Sequence, residues 1–131
     1  MNIVVGYVET AQGKAAVEAA IEEARVNDAR LIVVHSLGRT AGQEAPEYQD
    51  RLAALQERLA AEPFVAEVHE YARGKSPAED ILQAADDFGA DLIVIGLRDR
   101  TRTGKYLLGS DAQDVLLGAK CRVLSVKVED E

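Results

Sequence analysis

Short runs of β-branched and apolar residues alternate along this chain with stretches of helical period, and that alternation limits the fold more than any other feature. Ile3-Val4-Val5 with Tyr7-Val8, Leu31-Ile32-Val33-Val34, Leu92-Ile93-Val94-Ile95 and Val123–Val128 read as strands, mostly apolar on both faces. Phe64–Ala72 sets Phe64, Ala66 and Val68 against Glu67 and His69, the pattern of a strand with one wet face near a sheet edge. Between the strands lie four helical patterns. Gly13–Asn27 carries Val17, Ala20, Ile21 and Ala24 on one face. A looser segment, Leu37–Ala45, precedes Pro46, which opens a helix with a stripe of Tyr48, Leu52, Leu55 and Leu59. Ser76-Pro77-Ala78-Glu79 is a capping box for a helix to about Phe88, ended by Gly89. Ser110-Asp111-Ala112-Gln113 reads as a second capping box, for a helix with Val115, Leu116 and Ala119. The order β-α-β-α-β-α-β-α-β predicts an α/β fold. Its sheet is open and mostly parallel, covered by helices on both faces, with right-handed crossovers.

With 131 residues, 47% of them hydrophobic, the chain suits one packed domain spanning 1–131, without repeat, linker or low-complexity tract. No stretch approaches the roughly 20 apolar residues of a membrane helix. Met1–Gly6 has no basic segment ahead of an apolar run, so no signal peptide is expected. The single cysteine, Cys121, excludes an internal disulfide framework and a multi-cysteine zinc site. A cytoplasmic location follows as the expectation. The net charge of −8 argues against a nucleic-acid binder. That charge is uneven: Leu97–Gly109, the longest connection, holds Arg98, Arg100, Arg102 and Lys105 against Asp99 alone. A loop of charge +3 on a body of −11 suits either an anion or plain solvation. It leaves the C-terminal end of a central strand, where open parallel sheets receive ligands.

Several chemistries fail on the residues. Gly104-Lys105 lacks the rest of a P-loop, because Tyr106 replaces the magnesium-binding Ser or Thr and Asp99 replaces the first glycine. No G-x-G-x-x-G follows Val5, and no G-x-S-x-G elbow occurs. Glu9 alone falls short of a phosphorelay acidic cluster. Cys121 reads as a small packed residue. His35, at a strand end, reads as hydrogen-bonded there, and His69 as exposed. Asp86-Asp87 and Glu22-Glu23 read as solvated helix faces. No nucleophile, base and acid assemble from the remainder, so no catalytic residue and no metal ligand is assigned.

What remains is Gly96-Leu97-Arg98-Asp99, nine further residues, and Gly109-Ser110. Glycine allows close approach of backbone to a ligand, and the helix opening at Ser110 offers unpaired N–H groups and a positive dipole end. Here the chain resembles the universal stress protein family, of the UspA-like kind. The likeness spans Val4-Val5-Gly6-Tyr7, Gly13-Lys14-Ala15-Ala16, Leu31–His35, Gly74–Pro77, Ala90–Gly96, Leu107-Leu108-Gly109-Ser110 and Cys121-Arg122-Val123-Leu124. The spacing G-x2-G-x9-G-[ST] is that family's nucleotide signature.

The resemblance implies a five-stranded parallel sheet of order 3-2-1-4-5 and a homodimer, which the apolar edge strand Val123–Val128 would form by antiparallel self-pairing. It implies ATP as ligand, with magnesium. The adenine edge would be Val8 and the backbone around Ser36, with Thr10 facing the loop. Gly96, Leu97, Gly109, Ser110 and Asp111 would take ribose and phosphates. Arg98, Arg100, Arg102 and Lys105 are candidates for further phosphate contact. Two residues depart from the pattern. Asp99 stands at the second glycine, and Val8 stands where ATP-binding members carry an acid, with Glu9 one residue late. A one-residue shift at a strand end turns a carboxylate to the other side. Three functions follow as alternatives: a nucleotide-responsive stress module with little or no hydrolysis, a ligand-free interaction dimer, and a slow ATPase or phosphotransferase.

Overall fold

The computed structural model describes residues 1–36, 46–71, 75–100 and 105–128, and the backbone alone at 46, 98–100, 106 and 107. Ten elements follow one another: β1 (Asn2–Gly6), α1 (Ala11–Asn27), β2 (Arg30–Ser36), α2 (Pro46–Ala60), β3 (Ala66–Tyr71), α3 (Pro77–Phe88), β4 (Leu92–Arg100), β5 (Tyr106–Leu107), α4 (Ser110–Gly118) and β6 (Arg122–Lys127). Five strands form a parallel sheet in the order β3-β2-β1-β4-β6. Counted as the five long strands, this is the order 3-2-1-4-5.

The strands are buried because their residues are apolar on both sides. Ile3, Val5, Leu31, Val33, Leu92 and Val94 face one layer, where α1 packs its stripe of Ala16, Val17, Ala20, Ile21 and Ala24. Val4, Ile32, Val34, Ile93 and Ile95 face the other, with Ala78, Ile81 and Ala84 of α3 and Val115 of α4. Each fully buried Val, Leu or Ile contributes about 1.5–3 kcal/mol through removal from water. Tyr48, Leu52 and Leu59 of α2 are buried, as its period predicts. β3 lies at the sheet edge with a half-exposed face.

Four local expectations are revised. β1 ends at Gly6, though Tyr7 N still donates to Val34 O at 2.8 Å. Phe64 precedes β3 and is buried in the core instead of opening the strand. The connection after β4 is shorter than its 13 residues suggest, because β4 runs on to Arg100 and pairs antiparallel with β5. That pairing gives backbone groups beyond the parallel ladder a partner. The second capping box does not form. Gly109, extended at φ −65° and ψ 165°, is the N-cap, and Ser110 is already helical. Gln113 N bonds to Gly109 O, so the first turn closes one residue early and no side chain caps it. Ser76, by contrast, forms its predicted box with Glu79, and Gly89 ends α3 at φ 60°.

Candidate functional site

A parallel sheet sends every helix back so that it starts at the sheet's C-terminal rim. Successive connections leave β1 and β4 toward opposite sides, which opens a crevice between their ends. A cleft of about 340 Å³ lies there. Gly6 and Val8 form its wall at the end of β1, with Gly96 at that of β4. The first turns of three helices complete it: Gln12 and Gly13 of α1, Pro77 and Ile81 of α3, and Ser110, Asp111 and Ala112 of α4 after Gly109. Their aligned peptide dipoles make this rim favourable for an anion.

The three helix starts differ. Thr10 accepts from Gly13 N at 3.0 Å at α1, and Ser76 accepts from Glu79 N at 3.2 Å at α3. At α4 the N-cap, Gly109, offers no side-chain hydrogen bond to the first-turn N–H groups. Asp111 is the only ionisable residue on the cleft wall among the described residues.

Two glycines set the closeness of the walls. A Cβ on Gly96 would stand 2.1 Å from Gln12 O, and one on Gly13 would stand 2.3 Å from Val8 O. The turn from β1 into α1 therefore presses directly on β4. Gly96, read from the sequence as a ligand-facing residue, is also required by this packing.

Of the expected site residues, Val8, Thr10, Gly96, Gly109, Ser110 and Asp111 meet at the cleft. Leu97 is half-buried in β4 and off the wall. Ser36 is also off the wall; its Oγ donates to Asp80 Oδ2 at 2.5 Å. Arg98, Asp99 and Arg100 belong to the β4 extension by backbone, and Arg102 lies outside the described residues. Lys105 is exposed. Sequence reasoning missed Gln12, Gly13, Pro77 and Ile81. The strand order itself was the signal, since it brings the first turns of α1 and α3 to the same rim as α4.

Glu9 turns away from the cleft. It pairs with Arg51 of α2 and lines a second cleft, of about 250 Å³, on the opposite face. Tyr7, Lys14, Glu18 and Arg58 share that cleft, where Arg58 pairs with Glu18. Burial, then the hydrogen bond and charge of Glu9, push the Tyr7 hydroxyl above its ordinary pKa. Val8 is 41% exposed and forms part of both clefts.

His35 is not hydrogen-bonded as expected. It is buried, stacked on Tyr48 at 5.2 Å and edge-on to Tyr7 at 6.1 Å, and neither ring nitrogen has a hydrogen-bond partner among the described residues. Its pKa is lowered, because burial outweighs the pull of Glu70, whose Oε1 is 3.9 Å from Nδ1. His69 is not simply exposed. Its Nε2 lies 2.7 Å from Glu67 and its ring packs on Phe88. Arg30 grips the same Glu67 with two bonds of 2.9 Å, and Arg30, then His69, hold that carboxyl down to about 2. Asp87 accepts from Tyr71 and Gln83. Cys121 is half-buried, and burial first, then Asp91, raise its thiol pKa. Among the described residues no group of three or more His, Cys, Asp or Glu could hold a metal ion, and no helix is long and apolar enough to cross a membrane.

These features define a class: doubly wound α/β proteins with a small-ligand cleft at the switch point of the sheet. The sequence model of the Universal stress protein family matches residues 1–127, and the chain belongs to that family. A universal stress protein of Mycolicibacterium smegmatis is 41% identical over 130 residues, covering 95% of this chain and 96% of that one. The structure of the universal stress protein from Archaeoglobus fulgidus in complex with dAMP superimposes with a TM-score of 0.74. It shares 34% identity and covers 97% of this chain and 98% of its own. A universal stress protein in complex with cAMP superimposes at a TM-score of 0.72 and 28% identity, over 97% of this chain and 96% of its own.

Proposed function

We propose that this chain is a nucleotide-binding module of the stress response, taking an adenine nucleotide in the switch-point cleft and hydrolysing it little or not at all. The observation that carries this reading is the uncapped first turn of α4 on the cleft wall, beside two helix starts where an N-cap side chain already takes one donor each. A phosphate there accepts the N–H groups that the N-cap glycine leaves uncapped. The cleft size suits a small ligand. The dAMP and cAMP complexes of related chains agree with it. Asp111, as the sole ionisable wall residue among those described, supports binding over hydrolysis, since it leaves no base and cation pair to activate water.

The test is Gly109→Asp. An aspartate at an N-cap accepts from the helix N–H groups and adds a few tenths of a kcal/mol over glycine. The same carboxylate occupies the phosphate position. Melting temperature should hold or rise, while AMP affinity by calorimetry should fall at least about tenfold, or ~1.4 kcal/mol. Unchanged affinity would remove α4 from the binding site.

The outer edge of β6 supports a homodimer, with or without ligand. β6 pairs with β4 alone among the described strands, Val123, Leu124 and Val126 are half-buried, and Leu117 of neighbouring α4 is 79% exposed. Sedimentation at micromolar concentration should give twice the chain mass of 14.1 kDa, and a monomer would refute it.

A further inference from the structure

We infer that Asp80 reads the exocyclic amine of the bound base, an inference that rests on the nucleotide reading above. Asp80 lies on α3 and is completely buried. Ser36 Oγ serves its Oδ2, while Oδ1 has no hydrogen-bond partner among the described residues. A buried carboxylate oxygen without a donor is costly and rare. Here it sits beside the candidate site. Ile81, the next residue, and Pro77, one turn earlier, are both on the cleft wall. Ile81 in turn lies over the end of β1, where a Cβ on Gly6 would meet its Cδ1 at 2.8 Å.

The sheet order fixes which end of a nucleotide reaches this point. α4, the phosphate end, starts beyond β4. Ser36 ends β2, on the far side of β1, and Asp80 of α3 is hydrogen-bonded to it there. Two strand spacings, roughly 10 Å, separate β2 from β4. A nucleoside laid across β1 with its phosphate on α4 brings its base to Ser36 and Asp80. Because Asp80 is sealed, the base reaches Oδ1 only as the Pro77–Ile81 turn gives way, so seating the base and completing the carboxylate's hydrogen bonds are one event. The acceptor selects for a donor. The 6-amino group of adenine donates to it, and the 6-oxo group of hypoxanthine is repelled by it.

AMP and IMP, which differ in that group and in the proton that hypoxanthine carries on N1, are the probes, with calorimetric titration as the readout. Wild-type protein should bind AMP at least tenfold more tightly than IMP. Asp80→Asn offers an amide N–H in place of the acceptor and should bring the ratio to one or invert it. Ser36→Ala, a second variant that leaves the acceptor intact, should keep the preference for AMP. Melting curves show that each variant is folded. Equal affinities in wild type, or one ratio in wild type and Asp80→Asn, overturn the role of Asp80 while leaving nucleotide binding standing. Binding of neither nucleotide to wild type overturns both.

Discussion

Gly96→Ala is expected to cost about 3 kcal/mol, at the upper end of what overpacking usually costs. The added methyl would stand 2.1 Å from the carbonyl oxygen and 2.6 Å from the carbonyl carbon of Gln12. Both are backbone atoms in the first turn of α1, so no rotamer change relieves the contact. The helix start must lift from β4, and the cleft wall moves with it. For a chain of this size the melting temperature should fall by roughly 10 °C, and AMP affinity should fall as well. Gly89→Ala is the comparison. Gly89 ends α3 at φ 60° with nothing within 4 Å, so its cost is conformational, about 1 kcal/mol, with the cleft untouched. Equal losses in the two variants would show that the contact with Gln12 yields easily.

The second large effect depends on pH. His35 has its pKa below the ordinary 6.5 because it is buried, and the groups facing it are Tyr7 just beyond β1, Tyr48 of α2 and Glu70 of β3. The unfolded chain takes up a proton at His35 at a higher pH than the folded chain does. Stability is therefore complete above about pH 6.5 and declines as the pH falls toward the folded value. His35→Phe keeps a ring against Tyr48 and removes two polar atoms without partners. It should gain about 1 kcal/mol at pH 7.5, more at pH 5, with a flatter profile between. The Arg30–Glu67 pair erodes in a separate window. Its carboxyl, held to about 2 from an ordinary 4.5, contributes above pH 4.5 and loses that contribution as the pH falls through 2. Denaturant titrations of both proteins at pH 7.5, 6 and 5 decide the matter, and parallel profiles would acquit His35.

How much of this was legible depended on whether the information was local. Leu31–Val34 and Leu92–Ile95 announce buried parallel strands by composition, and the Ser76 box fixes the start of α3 within four residues. The start of α4 was misread by one residue, because Ser110-x-x-Gln113 satisfies the capping pattern while Gly109 accepts the same bond through its backbone. β5 has two residues and no period to detect. Gly109 and Ser110 could be placed at the cleft, but α1 contributes from nearly 100 residues away in sequence and α3 from about 30. Asp80 was invisible for a different reason. An acid beside Glu79 in a first helical turn reads as solvated, and only the packing of α3 on β1 and β2 buries it.

The double burial of the central strands has one more consequence. Where a strand alternates apolar with polar residues, sliding it by one position exposes its core side, and patterning alone forbids the slip. β1, β2 and β4 have no polar side to betray such a slip: Ile3-Val4-Val5 against Leu31-Ile32-Val33 would stay greasy in either frame. Alignment must then be read from shape. The places that accept no substitute, Gly96 under Gln12 and Gly13 under Val8, both lie at the C-terminal rim. They act as the notches of a key, admitting one frame of the strands, so the rim that forms the cleft also tells the sheet which way to line up.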